Sequence, residues 1–129
     1  MSILLVEDDP MIRDLLSRWL IIGGYQVITA SDGAQAVQSA RIQRPELIIM
    51  DMGLPVLNGW QATHRIRSMP LTHNIPIIAL TAYAMKEDRM KCLTVGCNDY
   101  ETKPVDLTRL LEKIRVLLNE HNIEVANVS

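Results

Sequence analysis

Six side chains in this sequence stand where chemistry could be done, and most close an apolar run. Glu7, Asp8 and Asp9 come directly after "SILLV"; Asp51 ends "ELIIMD"; Thr81 ends "PIIALT"; Lys103 closes the polar run "NDYETK". Asp9 has a structural explanation, because it precedes Pro10. An aspartate at the N-cap with proline at the first helical position is a standard helix start. That explanation does not extend to Glu7 and Asp8. Two more carboxylates beside Asp51 in a half-buried cleft would repel one another, and one would take up a proton unless something compensated. A hard divalent cation compensates well. Mg²⁺ binds through one or two carboxylates, several waters and a phosphate oxygen. Lys103 offers a second, mobile positive charge. For Asp51 by itself, a helix cap, a metal ligand and a nucleophile all remain open.

These groups need a frame that brings them together. The runs "SILLV", "YQVITA", "ELIIM" and "PIIAL" read as strands, and "NDYETK" as a fifth, polar one. Helical spacing separates them. Residues 11–20 place Met11, Ile12, Leu15, Leu16, Trp19 and Leu20 on one broad apolar face, and "GGY" stops that helix. A second helix spans 33–43 with Ala36, Val37 and Ala40 inward. Asn58 or its neighbour caps a third, which runs to about Ser68 before "MP". A fourth runs from about Ala84 to Val95 and closes at Gly96. The fifth carries the stripe Leu107, Leu110, Leu111, Ile114, Leu117 and Leu118. Strands that are apolar throughout, alternating with helices, predict a parallel sheet covered on both faces. In such sheets ligands bind beyond the carboxyl ends of the strands. The acids, the hydroxyl and the lysine all fall there.

The bulk numbers set limits. A chain of 129 residues makes one domain, and a net charge of −2 with no basic run argues against nucleic-acid binding. No apolar stretch is long enough to span a membrane, and no signal peptide opens the chain, so the cytoplasm is expected. Cys92 and Cys97 lack a redox or zinc spacing and are expected to pack as small hydrophobes. Residues 1–119 are expected to form the domain and 120–129 a flexible tail without a helical stripe.

With these residues in place, the chain resembles the receiver domain of bacterial two-component response regulators, the CheY-like family. "LLVEDD" is similar to its first-strand acidic motif, "IIMDMGLP" to its phosphorylation motif, "ALTA" and "TKP" carry its threonine and lysine, and "LNGW" its glycine. The resemblance runs from about Ile3 to Leu118. It implies a flavodoxin-like, doubly wound sheet of five parallel strands, order 2-1-3-4-5, with five helices. It implies that Asp51 accepts a phosphoryl group from a histidine kinase or a histidine phosphotransfer protein. Asp8 and Asp51 would bind Mg²⁺, Glu7 would help through water, and the Gly53 carbonyl would complete the protein ligands. Lys103, before a cis proline bond, would pair with the phosphoryl group, and Thr81 would donate its hydroxyl.

The resemblance further implies a switch. Thr81 is drawn in, Tyr100 rotates inward, and the face of helix 4, strand 5 and helix 5 changes for a downstream protein effector. Contacts around Tyr100 and Met85 would loosen or tighten with it. Phosphorylation-dependent pairing of two copies stays open, as does the choice between a free regulator and a receiver taken from a hybrid kinase. Gly53 and Tyr83 depart from the family pattern, one opening and the other shielding the water route to the phosphate. His64, His73 and His121 share no site. The competing readings are an aspartate-nucleophile phosphohydrolase, a flavin or nucleotide module, and a phosphate-independent pseudo-receiver. The first lacks a second acid two residues after Asp51, where Gly53 stands. The second lacks a phosphate-cradling first loop, since "VEDDP" repels phosphate. The third would have lost acids that this chain keeps.

Overall fold

Apolar runs became strands and spaced apolar residues became helices, in strict alternation. The computed structural model describes residues 1–82 and 86–128, with side chains over 1–82 and 89–120. The elements are β1 (Ser2–Val6), α1 (Pro10–Ile22), β2 (Gln26–Ala30), α2 (Gly33–Gln43), β3 (Leu47–Asp51), α3 (Gly59–Ser68), β4 (Ile77–Thr81), α4 (Lys86–Val95), β5 (Asp99–Thr102) and α5 (Leu107–Val128). The strands pair in parallel in the order β2-β1-β3-β4-β5. Consecutive parallel strands need crossovers, and the helices supply them on both faces.

The three central strands explain the core. Leu4, Val6, Ile48, Met50, Ile77 and Ala79 point to one layer, where α2, α3 and α4 contribute Ala36, Ala40, Ala62, Ile66 and Cys92. Ile3, Leu5, Leu47, Ile49, Ile78 and Leu80 point to the other, against Leu16 and Leu20 of α1 and Leu110, Ile114 and Leu118 of α5. The outer strands β2 and β5 are only partly buried. There the expectation of burial on both faces gives way, because an edge strand has a neighbour on one side only.

Local signals fix the helix ends. Asp9 accepts from the Met11 and Ile12 amides with Pro10 at N1, and Asp32 accepts from the Gln35 amide. Asn58 and Gln61 form a reciprocal capping box at α3. Such a cap contributes about 1 kcal/mol. At the far end of α4, Gly96 (φ +109°) turns left-handed, its amide reaches Leu93 O at 3.2 Å, and the Cys97 amide reaches Cys92 O at 2.9 Å. This is a Schellman cap, and buried Cys92 and Cys97 are its apolar clasp. The packing role expected of the cysteines follows from that geometry.

Two helices differ from expectation. On α1 only Leu16 and Leu20 are buried, whereas Met11, Ile12, Leu15 and Trp19 are exposed. The helix lies on a sheet, and one line of side chains suffices to seat it. α5 continues to Val128 instead of ending near Asn119, so residues 120–128 extend a helix and the expected boundary at 119 is not a break in secondary structure. The start expected for the fourth helix at Ala84 lies outside the described residues, as do Tyr83 and Met85 with the roles expected of them. The side chain of His121 lies outside them too.

Candidate functional site

β1, β3, β4 and β5 run parallel, so their carboxyl ends deliver Glu7, Asp51, Thr81 and Lys103 to one edge. Asp51 is the last residue of β3, and its strand leaves it buried. The chain must turn at once, and α3 begins so close that a Cβ on Gly59 would lie 2.3 Å from Asp51 O. Only glycine lets the helix start pass behind the aspartate. The Gly59 amide then bonds Met52 O at 3.1 Å and fixes the loop. Gly53 is different: a Cβ there would meet only Asp51 Oδ1, at 3.8 Å, so a larger side chain would fit and its place beside the carboxylate is open.

Each carboxylate oxygen of Asp51 has a donor. The Gly53 amide donates to Oδ1 at 3.0 Å, and Lys103 Nζ donates to Oδ2 at 3.0 Å. Lys103 follows β5; its amide bonds Thr81 O at 2.8 Å and its peptide bond to Pro104 is cis. The same ammonium stands 3.5 Å from Glu7 Oε1. Glu7 is buried at the end of β1, where its amide bonds Ala30 O at 3.1 Å. Its Oε2 accepts from the Asp8 amide at 3.0 Å, while Oε1 has no hydrogen-bond partner among the described residues. Thr81 closes β4, buried, one strand over from Asp51.

One carboxylate oxygen from each of Glu7, Asp8 and Asp51 falls within 4.8 Å of the others. Asp9 stands apart, because its side chain is spent on capping α1. Burial pushes the Glu7 carboxyl up to about 8, and the hydrogen bond and charge of Asp51 push the same way. Burial also works to raise Asp51, but the Glu7 hydrogen bond, the Gly53 amide and Lys103 outweigh it and hold Asp51 below its ordinary value. Burial would lower Lys103, yet the two carboxylates hold it above its ordinary value. Of the two, Glu7 is the carboxyl that holds a proton more readily. An all-oxygen set with an unpartnered buried oxygen and an excess of negative charge suits a hard cation such as Mg²⁺.

Sequence reasoning missed Arg13, Glu101 and the two cations that flank Tyr100. Arg13, one turn into α1, donates to Glu7 O at 2.9 Å and pins the acidic loop. Tyr100 is half-buried, with Arg89 and Lys113 at 5.4 Å and 5.3 Å from its ring centre. Glu101, read as part of a polar strand, is buried and paired with Arg109 at 2.8 Å and Lys113 at 2.9 Å. The spacing of Arg109 and Lys113 on one side of α5 was the available signal. Nothing marked Arg13. His64 lies on α3 and His73 in the turn before β4, neither among the cleft groups.

The response regulator receiver domain model matches residues 3–115. The receiver domain of a sensor histidine kinase from Pseudomonas aeruginosa, with magnesium coordinated in its active-site cleft, superposes with a TM-score of 0.85 at 43% identity, covering 92% of this chain and 97% of that one. The polar-differentiation response regulator DivK of Brucella anthropi is 34% identical over 92% of this chain and 97% of its own length. The receiver domain of Ssk1 from Saccharomyces cerevisiae, solved in complex with the histidine phosphotransfer protein Ypd1, is a further neighbour (TM-score 0.83, 35% identity, 88% of this chain and 86% of that one). The chain spans about half the length of several curated relatives it matches, which are transcriptional regulators. Among the described residues no helix is long and apolar enough to cross a membrane.

Proposed function

The chain belongs to the response regulator receiver family, and from that premise we propose that Asp51 is its phospho-acceptor. The observation that carries the reading is a buried Asp51 carboxylate bonded to Lys103 at 3.0 Å and grouped with Glu7 and Asp8 within 4.8 Å. An Asp51 oxygen attacks phosphorus of a phosphohistidine. The new O–P bond gives an acyl phosphate, the P–N bond breaks, and the imidazole leaves with its electron pair and takes a proton. Phosphoryl transfer asks a protein mainly for alignment and charge neutralisation. The β3 terminus supplies the alignment. Lys103 is freed from Asp51 to pair with the phosphoryl oxygens, and Thr81 donates its hydroxyl to one of them. Asp8 and Asp51, the Gly53 carbonyl, and Glu7 through water would hold Mg²⁺, which when bound neutralises charge on the phosphoryl oxygens. Gly53 leaves no second acid to turn the site into a phosphohydrolase.

The donor is a histidine kinase or a histidine phosphotransfer protein, a reading supported by the Ssk1–Ypd1 neighbour. The output is a change of the α4–β5–α5 face around Tyr100, read by a downstream protein in the cytoplasm. In physical terms the phosphate biases an equilibrium between two conformations. The domain is not a turnover enzyme; it forms and loses its own acyl phosphate. The test is intact mass after incubation with Mg²⁺ and phosphoramidate. Wild type should gain one phosphoryl group in a metal-dependent way, and Asp51→Asn should gain none. An unmodified wild type, or a modified Asp51→Asn, would remove the reading.

A further inference from the structure

The acidic loop is held from α1 by one side chain. β1 ends at Val6, and the next bond to a neighbouring strand runs from the Glu7 amide to Ala30 O at 3.1 Å. Asp9 then caps α1 through the Met11 and Ile12 amides. Between these two anchors lies the Glu7–Asp8 peptide, whose flanking carboxylates both belong to the acidic cluster. A peptide unit is planar, so contacts at its two poles fix its rotation. Its oxygen, the Glu7 carbonyl, accepts from Arg13 Nη1 at 2.9 Å, and its N–H, the Asp8 amide, donates to Glu7 Oε2 at 3.0 Å. The two bonds reinforce each other, because a donor on the carbonyl polarises the amide.

The rotation of this peptide sets the direction in which the Asp8 side chain leaves the backbone. Asp8 is exposed, so packing does not hold its carboxylate and the backbone must. One of the two clamps comes from Glu7 itself. The other comes from outside the loop. Arg13 is half-buried on α1, and its own amide bonds Asp9 O at 2.9 Å, which gives it a fixed base. It makes no ion pair among the described residues. Its Nη1 bond goes to a neutral carbonyl, so it grips the loop without occupying a carboxylate oxygen that a metal would use.

We infer that Arg13 is a positioning residue for Mg²⁺, which through the Glu7–Asp8 peptide aims the Asp8 carboxylate at the place it shares with Glu7 and Asp51. The inference rests on the Mg²⁺ site proposed above and is independent of phosphoryl transfer to Asp51. Charge alone predicts the opposite sign. A guanidinium beside three acids repels a divalent cation, so its removal would tighten Mg²⁺ binding if electrostatics alone counted. Positioning predicts weaker binding, and groups that orient metal ligands commonly change affinity by about tenfold or more.

The experiment titrates Mg²⁺ alone into the full chain by calorimetry at fixed ionic strength, for wild type, Arg13→Met, Arg13→Lys and Arg18→Met. Arg18→Met removes the same charge from the same helix at an exposed pair with Asp14. Circular dichroism verifies folding; methionine keeps an apolar stem and a good helix preference. The Mg²⁺ Kd should rise about tenfold in Arg13→Met. Arg13→Lys should fall between it and wild type, because lysine offers a rotating point donor in place of a planar fork. Arg18→Met should match wild type. Half-maximal labelling of Asp51 by phosphoramidate should need correspondingly more Mg²⁺ in Arg13→Met, with the wild-type rate once metal saturates. Unchanged or tighter Mg²⁺ binding by Arg13→Met would overturn the inference, whatever that variant loses in stability. So would an Arg13→Lys with wild-type affinity, which decides the matter if Arg13→Met fails to fold. So would an Arg18→Met that weakens as much as Arg13→Met, or slower labelling of Arg13→Met at saturating metal. A wild type that binds Mg²⁺ but takes no phosphoryl group would remove the phospho-acceptor reading and leave this inference standing. A wild type that binds no Mg²⁺ would remove the metal site, and this inference with it.

Discussion

Both edges of the sheet set a half-buried cation among oxygen atoms, and they treat it in opposite ways. At the amino edge Arg67, at the end of α3, donates through Nε to Gly96 O at 2.8 Å, through Nη1 to His73 O at 2.9 Å and Ile75 O at 2.7 Å, and through Nη2 to Asn98 Oδ1 at 2.8 Å. Its acceptors are neutral and each is met. Burial lowers its pKa, but a guanidinium stays charged regardless. At the carboxyl edge one ammonium faces two buried carboxylates, with a third beside them, and Glu7 Oε1 has no hydrogen bond among the described residues. The first arrangement is a finished structural clasp tying α3 to the starts of β4 and β5. The second is unfinished: it holds too much negative charge for its cations, which is what a site awaiting a metal and a phosphoryl group requires. Incomplete satisfaction, more than polarity or burial, separates the two.

The largest expected effect tests the clasp. Arg67→Met should leave the part-buried Gly96 and Ile75 bonds and two exposed ones unmade and cost about 3 kcal/mol. For a domain of this size that is a fall in melting temperature of roughly 10 °C. Labelling of Asp51 by phosphoramidate, measured well below the transition, should survive. If Arg67→Met kept its stability, or lost labelling while folded, the two edges would not be separable in this way.

The next effect tests the unfinished edge. Glu7 is raised to about 8 from 4.5, so the folded state binds a proton that the unfolded state has released. Its contribution is fully present below about 4.5 and is lost as pH rises toward 8. Over that window metal-free wild type should lose stability progressively as pH rises. Asp51, held low, acts only below its ordinary value, and Lys103, held high, only above its own, so neither intrudes. Urea unfolding of wild type and Glu7→Gln from pH 5 to pH 8 in EDTA checks it. Glu7→Gln should be flat by comparison, and Mg²⁺ should restore wild type most at the alkaline end. Parallel profiles would mean that Glu7 is charged and satisfied, and the contrast between the edges would collapse.

The contrast also shows what the sequence could reveal. The carboxyl edge was legible, because a parallel sheet sends everything that follows a strand to one side. "VEDD", "IIMD", "ALT" and "TKP" needed only that rule. The amino-edge clasp was not legible. Arg67 in "HRIRSMP" looks like any surface arginine, and its partners are the backbone carbonyls of His73, Ile75 and Gly96 and the Asn98 side chain, which no residue type announces. The same reason hid Arg13, whose acceptor is a carbonyl. α1 was misread for a different cause. A period of 3.6 shows that apolar residues share a side, but it cannot say how much of that side the sheet will cover. Leu16 and Leu20 filled the contact, and Met11, Leu15 and Trp19 were left to water. The end of α5 was misread because residues 120–128 lack an apolar stripe, yet the helix runs on from a well-anchored start at Leu107.

The smallest expected effect compares the edges through their backbones. Each has a non-glycine residue in the left-handed region: Val56 at φ 67° beside the cleft, and Arg44 at φ 45° closing α2 at the amino edge. Arg44 caps a helix, its amide bonds Ala40 O at 3.0 Å, and its side chain is unbranched at Cβ. Val56 caps nothing and has two branches at Cβ that crowd the backbone in this conformation. Asparagine tolerates the region better than either residue. Val56→Asn should therefore stabilise the domain by about 1 kcal/mol, and Arg44→Asn by clearly less. Urea midpoints of the two variants decide it. Equal gains would place strain at both edges alike. A larger gain at Val56 would show that the cleft edge keeps a costlier backbone than the amino edge.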